Sequence, residues 1–465
     1  MKKFEFGLIG LGVMGRNFIL NIAEKSHSVL GFDLNGKKVN LLNKDAKELD
    51  VHGVNSIEEF VSGLSTPRKI MILVPADAVD TVLEELTPLI DKNDLVIDAG
   101  NSHPEDTERR EGFMTKKGYK YLGVGISGGA EGARHGSSIM PGGNHDSYHQ
   151  VENIFTDAAA QVNEDPCVTW LGKRSSGHFV KMVHNGIEYG MMQLISEAYD
   201  IMRNGMAMEN SEMQSVFETW KNGPLGSYLI EITANILGKE DSETGGYLLD
   251  QILDRAKQKG TGKWTSQMAM DLQVPVPTID TAVSMRHLSA FKTERQKAGL
   301  ILKGPKSYIN NDKKEMIEMI EKALHFCMLV TYAQGFELLR IASQQHNFGL
   351  HLSDVAKIWR GGCIIRASIL EHIMNTYQEH PKLPNLLFDH ELSSLVNKNH
   401  PHLRNVIMRS AQTGIPVPGM MSALAYFDAL RSGHLAANMI QAQRDYFGSH
   451  KYQKIGKEGV FHTDW

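Results

Sequence analysis

Short β-rich runs alternate with helical patterns over the first third of the chain, and this alternation limits the possible folds more than any other feature. The runs read F-E-F-G-L-I-G, S-V-L-G-F-D, K-I-M-I-L-V-P, D-L-V-I-D-A-G and Y-K-Y-L-G-V-G-I-S, all between Phe4 and about Leu171. Strands separated by amphipathic helices form a mostly parallel, doubly wound sheet. The sequence therefore predicts an α/β, Rossmann-like N-terminal domain over residues 1–175.

Helical spacing replaces the strands in the rest of the chain. Segments such as Phe179 to Met202 and Lys313 to Gln345 have apolar residues at helical intervals. They predict a large all-helical domain over residues 176–431. The last residues, 432–465, are more polar, which predicts an extended C-terminal tail, although one too rich in aromatic residues to be simply disordered.

A weak internal similarity lies within the helical part. One stretch runs from Glu197 to Gly223 and ends in W-K-N-G, and a second of similar length runs from Glu337 to Gly362 and ends in W-R-G-G. A duplicated helical unit would explain the similarity. Chance resemblance between two amphipathic helix pairs would explain it equally well, and the sequence leaves both explanations open.

Length, charge and cysteine content exclude several classes of protein. At 465 residues the chain is long enough for two or three domains. Its formal net charge of −5 argues against non-specific nucleic-acid binding, and no run of about 18 apolar residues is present to span a membrane. Glu5 interrupts the signal-like start, and the widely spaced Cys167, Cys327 and Cys363 are typical of a reduced protein without disulfides. We expect a cytoplasmic protein.

A glycine pattern after the first apolar run predicts a dinucleotide site. The fingerprint G-x-G-x-x-G comprises Gly10, Leu11, Gly12, Val13, Met14 and Gly15. Its glycines allow a tight turn and close approach to a pyrophosphate at a helix N-terminus. The next strand ends at Asp33, where a carboxylate can bind the adenine-ribose hydroxyls. An ordinary strand-turn-helix corner is the alternative, but the strand context and the acidic residue favour dinucleotide binding.

A polar stripe on one helix predicts the reaction site. Lys181, His184, Asn185 and Glu188 stand at i, i+3, i+4 and i+7 and so share one face. The residues around them are mainly apolar, which predicts a buried helix whose stripe lines a cavity. A salt-bridged surface stripe is the alternative interpretation.

Two further segments are candidates for ligand contact. The run I-S-G-G-A-E-G-A-R-H-G-S-S-I-M-P-G-G resembles a loop, either one that cradles a polar ligand or a flexible surface loop. The run from Lys259 to Lys263 places two cations and Thr261 among glycines, which suggests a phosphate or carboxylate contact. Arg286 and Arg444 are weaker candidates, and no spacing typical of metal ligands is present.

Together these motifs resemble the successive signatures of the 6-phosphogluconate dehydrogenase family. They are G-L-G-V-M-G-R-N, the glycine- and serine-rich run, K-M-V-H-N-G-I-E-Y, Q-K-G-T-G-K-W-T, W-R-G-G-C-I-I-R and Q-R-D-Y-F-G-S-H, in the order of the family. The resemblance covers nearly the whole chain. It implies oxidative decarboxylation of 6-phosphogluconate to ribulose 5-phosphate and CO2 with reduction of NAD or NADP, without a metal, in the pentose phosphate pathway and gluconate utilisation.

The resemblance also implies the roles of individual residues. It makes Lys181 the general base and Glu188 the general acid. The residues implied in substrate binding are Asn101, Ser127, Gly128, Gly129, His184, Asn185, Tyr189, Lys259, Thr261, Arg286, Arg444 and His450. Of these, Tyr189, Lys259, Thr261, Arg286 and Arg444 would hold the phosphate, with His450 nearby. It further implies that the all-helical domain serves substrate binding and dimerisation, in a homodimer in which the tail of one subunit completes the site of the other.

Departures from the family pattern concern the cofactor. The implied cofactor contacts beyond the glycine turn are Asp33, Leu34, Asn35, Val74, Pro75, Ala76 and Asn101. NADP-binding members carry an Asn-Arg-Thr run where this chain has Asp33-Leu34-Asn35, and Pro75 replaces a family lysine. These changes predict a preference for NAD over NADP, with NADP as the alternative because Lys37 and Lys38 follow within about one turn and could support its binding. Ala130 replaces a frequent glutamate and puts a minor contact in doubt.

Two rival functions remain at this point. Another β-hydroxyacid dehydrogenase would share the dinucleotide domain and the lysine but act on an unphosphorylated acid. The second rival, from a different class, is a catalytically silent dinucleotide-binding sensor or structural protein. The run Q-K-G-T-G-K-W-T argues against the first rival, and the intact Lys181, Asn185 and Glu188 argue against the second.

Overall fold

The first part of the chain folds around one sheet in the computed structural model, which describes residues 2–305, 307–309 and 312–465. Its strands are β1 (Phe6–Ile9), β2 (Val29–Phe32), β3 (Val51–Val54), β4 (Lys69–Ile72), β5 (Leu95–Asp98), β6 (Lys120–Ser127) and β7 (Ser138–Gly143). They lie in the order β3-β2-β1-β4-β5-β6-β7. Strands β1 to β6 are parallel, and β7 pairs antiparallel with β6.

Helices accompany this sheet, as the apolar strands require. They are α1 (Val13–Glu24), α2 (Gly36–Ala46), α3 (Ile57–Gly63), α4 (Val79–Leu86), α5 (Pro104–Lys116), α6 (Gly129–His135), α7 (His145–Tyr148) and α8 (Glu152–Ala158). A two-stranded antiparallel pair, β8 (Gln161–Val162) and β9 (Asp165–Pro166), follows them.

Two strands of this sheet were not predicted, and one prediction was wrong. The sequence interpretation missed β3 and β7. The glycine- and serine-rich run is not one loop, because it contains the end of β6, all of α6 and all of β7. Gly142 shows why glycine is needed inside β7: a Cβ there would lie 2.2 Å from the backbone nitrogen of Gly177. The glycines therefore allow close backbone packing, which composition alone does not separate from a loop.

The second part of the chain is helical. Its helices are α9 (Ser176–Asp200), α10 (Asn210–Lys221), α11 (Tyr228–Leu237), α12 (Thr261–Asp271), α13 (Pro277–Ala290), α14 (Lys292–Ile301), α15 (Lys313–His346), α16 (Leu352–Trp359), α17 (Ile369–Glu379), α18 (His390–Thr413) and α19 (Pro418–Leu430). Helix α15 packs against both α9 and α18, and most of α9 is buried. The predicted fold class is confirmed: a Rossmann-like α/β domain precedes a mostly helical one. No helix within the described ranges is long and apolar enough to cross a bilayer.

The two similar stretches have the same order of helices. Long α9 and long α15 are each followed by a helix that ends at or just after a buried tryptophan, Trp220 or Trp359, and then by a further helix. Just beyond each tryptophan, Ser227 pairs antiparallel with Ala367. This arrangement places corresponding points of the two units side by side.

The C-terminal tail is a small folded unit. It contains α20 (Ala437–Gly448) and an antiparallel hairpin of β10 (Tyr452–Lys454) and β11 (Lys457–Phe461). The buried carboxylate of Asp445 accepts hydrogen bonds from the backbone N–H groups of Lys451 and Thr463 and from the indole of Trp465. The expectation of an extended tail was wrong, because these polar groups converge on one carboxylate.

Candidate active site

A cleft of about 1010 Å³ lies between the sheet and the helical domain. It opens beyond the carboxyl ends of β1 and β4, where the strand order reverses and where doubly wound sheets bind their ligands. The residues lining it include Gly12, Val13, Met14, Gly15, Val74, Pro75, Ala76, Asn101, Lys181, Asn185, Glu188 and Lys259. The cleft thus brings together residues predicted for the cofactor and residues predicted for the substrate.

The glycine turn at one end of the cleft is shaped for a pyrophosphate. Gly10 has φ +104°, and a Cβ on Gly15 would lie 1.8 Å from the carbonyl oxygen of Gly10. No atom lies within 4 Å of the position that a Cβ on Gly12 would take, so this residue faces open space. Gly12 is the N-cap residue just before α1, and the first turn of that helix has no side-chain cap and no acidic residue. A phosphate can therefore reach the N–H groups at this helix end.

The acidic residue after β2 is held by its own neighbours. One oxygen of Asp33 accepts the N–H of Leu11 at 2.9 Å, and the other accepts the N–H of Asn35 at 2.9 Å. The ammonium group of Lys38 lies 3.0 Å from the same carboxylate. Leu34 is 79% exposed. The predicted acidic residue is therefore oriented by the glycine turn, and a lysine partly balances its charge.

Lys181 of the polar stripe packs against strand β6. Lys181 is only 7% exposed, and a Cβ on Gly125 of β6 would lie 2.4 Å from the Cβ of Lys181. Glycine at this position lets α9 approach the strand so closely that the lysine stem is enclosed. Burial lowers the pKa of the Lys181 ammonium from its usual value of 10.5, and the charge of Glu188 acts in the opposite direction. The lysine is thereby made easier to deprotonate.

Glu188 lies about two helical turns further along α9. Burial raises the pKa of this carboxyl group from its usual value of 4.5, against the charges of Lys181 and Arg286. The two ionisable groups that line the cleft from α9, Lys181 and Glu188, are thus both shifted toward their neutral forms. A neutral amine and a protonated carboxyl group can exchange protons with a ligand lying between them.

A row of hydrogen bonds crosses the site. The Nε2 atom of His184 lies 3.2 Å from the hydroxyl of Ser127, and its Nδ1 lies 2.9 Å from Oδ1 of Asn185. The amide of Asn185 donates to the hydroxyl of Thr261 at 3.1 Å. Burial lowers the pKa of His184 well below its usual value of 6.5, so the ring is neutral near pH 7. This row links the end of β6, α9 and the start of α12.

The cations predicted for the phosphate lie around α12 and α13. Lys259 lines the cleft just before α12. The guanidinium of Arg286 stacks 3.5 Å from the centre of the Tyr189 ring. Burial lowers the pKa of Arg286 from its usual value of 12.5.

The two glycines predicted for substrate binding lie at the start of α6. Gly128, which precedes α6, has φ +117°, and a Cβ there would lie 2.6 Å from the carbonyl oxygen of Gly362. Gly129 begins α6 with φ +62°.

Two residues predicted to bind the substrate lie in the C-terminal tail and do not line the cleft. Arg444 lies on α20 and donates to the side chain of Gln441, and His450 follows the same helix. Among the described residues, the side-chain hydrogen bonds made by residues 437–465 stay within that segment. The tail therefore makes no hydrogen bond to the cleft of its own chain.

Other residues of the cleft were missed by the sequence interpretation. His103 meets Trp264 edge-on, with ring centres 5.2 Å apart, and both line the cleft from opposite domains. Arg110 lines it from α5. In the sequence Arg110 is one of two adjacent arginines on a polar helix, a pattern typical of a solvated face. In the described ranges no three His, Cys, Asp or Glu side chains are grouped so that they could hold a metal ion.

A dinucleotide turn that shares one cleft with a buried lysine defines the class, a nicotinamide-dependent dehydrogenase. Comparison with known proteins then identifies the family. Residues 5–172 match the family model described as the NAD binding domain of 6-phosphogluconate dehydrogenase, and residues 177–465 match the one described as its C-terminal domain. The chain belongs to the decarboxylating 6-phosphogluconate dehydrogenase family, as the sequence resemblance implied.

Relatives of known name match over the full chain. The NADP(+)-dependent, decarboxylating 6-phosphogluconate dehydrogenase of Bacillus subtilis is 47% identical, with 100% of both chains covered. The decarboxylating enzyme of Escherichia coli is 45% identical over 100% of both chains. A solved structure of Plasmodium falciparum 6-phosphogluconate dehydrogenase, described with NADP+ and with 6-phosphogluconate, has a TM-score of 0.96 at 43% identity, covering 99% of this chain and 100% of that one.

Proposed function

We propose that this chain oxidises and decarboxylates 6-phosphogluconate to ribulose 5-phosphate and CO2, with a nicotinamide dinucleotide as hydride acceptor and without a metal. One observation carries the proposal: buried Lys181 and half-buried Glu188 line, from the same helix, the cleft that begins at the glycine turn. The names of the relatives support the choice of substrate. When bound, the dinucleotide supplies the ring that accepts the hydride.

Lys181 acts on the oxygen at C3 of the substrate. Since burial favours its neutral amine, it can accept the proton of the C3 hydroxyl as that carbon is oxidised. The product is a β-keto acid. The ammonium group formed on Lys181 then donates a hydrogen bond to the ketone oxygen and stabilises the enolate as CO2 leaves. This donor replaces a metal ion as the electrophile.

Glu188 completes the reaction at C1. Because burial raises its pKa, the carboxyl group retains a proton that it can deliver to the enediol. The roughly 10 Å of helix between Lys181 and Glu188 places the acid and the base at different ends of a small substrate. Thr261, Lys259 and Arg286 would hold the phosphate, and Ser127, His184 and Asn185 the hydroxyl groups.

The proposed substrate is tested by comparing 6-phosphogluconate with unphosphorylated gluconate. The phosphate contacts should give 6-phosphogluconate a far higher kcat/KM, since charge-assisted hydrogen bonds are worth about 1.5–3 kcal/mol each. Dialysis against EDTA should leave the rate unchanged. Equal use of the two acids would favour the rival β-hydroxyacid dehydrogenase, and absence of turnover would favour a silent binding protein.

We further propose that the cofactor is preferentially NAD. The carboxylate of Asp33 lies where the adenine ribose binds, and two like charges about 4 Å apart cost on the order of 4 kcal/mol near a protein surface. Leu34 supplies no balancing cation. Lys38 is already paired with Asp33 at 3.0 Å, so its charge is partly neutralised before a 2′-phosphate arrives. The Bacillus relative is named as NADP(+)-dependent, so the relatives do not support a preference for NAD. The proposal rests on the residues of this chain alone.

Wild-type kcat/KM should be at least about tenfold higher with NAD than with NADP. Steady-state kinetics with both cofactors at saturating substrate measures the ratio. The double variant Asp33→Asn with Leu34→Arg should shift it toward NADP. Lys38→Gln is the control: a selective loss of NADP use would show that Lys38 serves the 2′-phosphate. A wild type that uses NADP more efficiently would show the preference to be wrong.

We also propose a homodimer in which the tail crosses to the partner subunit. The tail exposes large apolar side chains that find no core in their own chain, namely Leu435, Met439, Ile440, Tyr446, Phe447, Ile455 and Val460, each at least 50% exposed. Large apolar side chains exposed in such number on one small unit favour a contact with another protein. Arg444 would thereby reach the substrate of the partner, although it does not line the cleft of its own chain.

Deleting residues 444–465 should raise the Kd for 6-phosphogluconate by about 10- to 100-fold, because a charge-assisted contact from Arg444 is lost. The Kd for the dinucleotide should change little, since its half of the cleft lies in the first domain. Calorimetry measures both constants, and sedimentation measures the assembly. Arg444→Gln is the matched variant, which removes the cation and keeps the apolar surface. Normal substrate affinity after truncation would refute the crossing tail.

A further inference from the structure

Arg110 is a buried arginine at the wall of the cleft. It lies on α5, is 3% exposed and is one of the residues that line the cavity. An arginine beside a dinucleotide would ordinarily be assigned to a phosphate, because guanidinium groups bind phosphate in a bidentate manner. The hydrogen bonds of Arg110 argue for a different role.

All five N–H donors of Arg110 are used within the protein. Its Nε and Nη2 atoms donate to the two oxygens of Asp80 at 2.9 and 3.0 Å, and Nη2 also donates to the carbonyl oxygen of Ala76 at 3.3 Å. Its Nη1 donates to Asp98 at 3.0 Å and to the hydroxyl of Ser102 at 2.7 Å. A guanidinium group has five N–H bonds, so none remains for a ligand.

These partners belong to two separate segments. Ala76 and Asp80 follow β4, whereas Asp98 and Ser102 lie at the end of β5 and just beyond it. Each segment contributes cleft-lining residues. Arg110 therefore joins two walls of the cleft through one planar group.

The second segment needs such support. Asn101 lies between Asp98 and Ser102 and has φ +57°, a conformation that costs energy for a residue other than glycine. Fully buried Asp98 also accepts the N–H of Gly100 at 2.9 Å and the hydroxyl of Tyr121 at 2.8 Å. The Arg110–Asp98 ion pair thus holds the turn that presents Asn101 to the cleft.

We infer that Arg110 is a positioning residue for the oxidation step, acting by fixing the segments after β4 and β5 relative to one another. The inference rests on the proposed function. In a doubly wound sheet of this order, the half that contains β1 to β3 and Asp33 holds the adenosine end, so β4 and β5 lie beneath the nicotinamide end. Loss of the bridge would displace the ring and Asn101 while leaving the adenosine end in place.

The variant Arg110→Lys tests this inference. A lysine keeps the charge but cannot bridge both segments. Turnover of 6-phosphogluconate should fall by about 10²-fold, the effect expected of a misplacement of about 1 Å. The kinetic isotope effect with substrate deuterated at C3 should rise, because hydride transfer becomes slower than the other steps. The Kd for the full dinucleotide should increase, whereas the Kd for ADP should stay constant.

Arg109→Lys is the matched control. Arg109, the neighbour of Arg110 in the sequence, also contacts Asp80, at 2.7 Å. Its side chain is 56% exposed, however, and it is not one of the residues lining the cleft. Turnover and isotope effect should stay within about threefold of wild type, because exposed ion pairs contribute little. Circular dichroism checks folding. If Arg110→Lys does not fold, Asp80→Asn, which weakens the same bridge at its more exposed end, should give the same pattern to a smaller extent.

The outcomes separate the inference from the proposed function. An Arg110→Lys enzyme with wild-type turnover and isotope effect would overturn the inference while the wild type still confirmed the activity. An equal loss of affinity for ADP and for the dinucleotide would also overturn it, since that pattern indicates a phosphate ligand or a general disturbance. A wild type without activity would refute the proposed function instead.

Discussion

Replacing Lys181 by methionine should lower kcat for 6-phosphogluconate by about 10²- to 10⁴-fold, the usual effect of losing a positioned acid or base. Methionine fills a similar volume, so the close contact with Gly125 is preserved. The Kd for the dinucleotide should be nearly unchanged, because the amine acts on the substrate. Steady-state kinetics and fluorescence titration measure the two effects.

Lys173→Met, an exposed position shortly before α9, is the control for that substitution and should behave as wild type. A Lys181→Met enzyme that retained more than about a tenth of wild-type turnover would remove Lys181 from the role of base, since loss of such a base costs at least about 10²-fold.

The pH profile of the wild-type activity should reflect the titration of Lys181 and Glu188. In the proposed mechanism the active form has neutral Lys181 and protonated Glu188, which together hold one titrating proton, so activity is lost when Lys181 gains a proton or Glu188 loses its own. Burial raises the pKa of Glu188 above 4.5, and burial lowers the pKa of Lys181 below 10.5. The profile of kcat/KM should therefore be a bell whose acid limb lies above pH 4.5 and whose alkaline limb lies below pH 10.5.

Replacing Glu188 by glutamine should impair the last step, with a loss in ketose formation of about 10²- to 10⁴-fold. Glutamine keeps the size of the side chain but has no proton to give to C1. Oxidation and CO2 release should persist, so the enediol should be detectable by trapping. The alkaline limb of the profile should disappear in this variant, because glutamine has no ionisable proton to lose. The charge of Glu188 raises the pKa of Lys181. Its removal should therefore lower that pKa and move the remaining limb of the profile to lower pH.

Ketose formation at the wild-type rate in Glu188→Gln would remove Glu188 from the mechanism. The internal control is the ratio of reduced cofactor to ketose in one reaction. That ratio should stay at unity in the wild type and rise transiently in the variant.

The parts of the site that the sequence predicted are those that follow from local periodicity. The spacing of Lys181, Asn185 and Glu188 places them on one face of any helix. The glycine pattern that includes Gly10 and Gly15 directly follows an apolar strand, which is the setting of a dinucleotide-binding turn. The parallel sheet was predictable because its strands alternate with amphipathic helices. These inferences need only the geometry of one element at a time.

The rest depends on contacts between distant segments. Nothing in the sequence separates buried Arg110 from exposed Arg109, because only the fold brings Asp80 and Asp98 to one of them. The glycines of β7 resemble a loop until α9 is packed against them. The folded tail around Asp445 was missed for the same reason, since its hydrogen bonds come from residues well beyond the carboxylate in the chain.

The central claim, that this cleft couples oxidation at C3 to loss of C1, is tested most directly with 6-phosphogluconate carrying ¹³C at C1. Wild-type enzyme with NAD should release labelled CO2, reduced cofactor and unlabelled ribulose 5-phosphate in equal amounts. Reduced cofactor formed while the label stays in the organic product would contradict the claim.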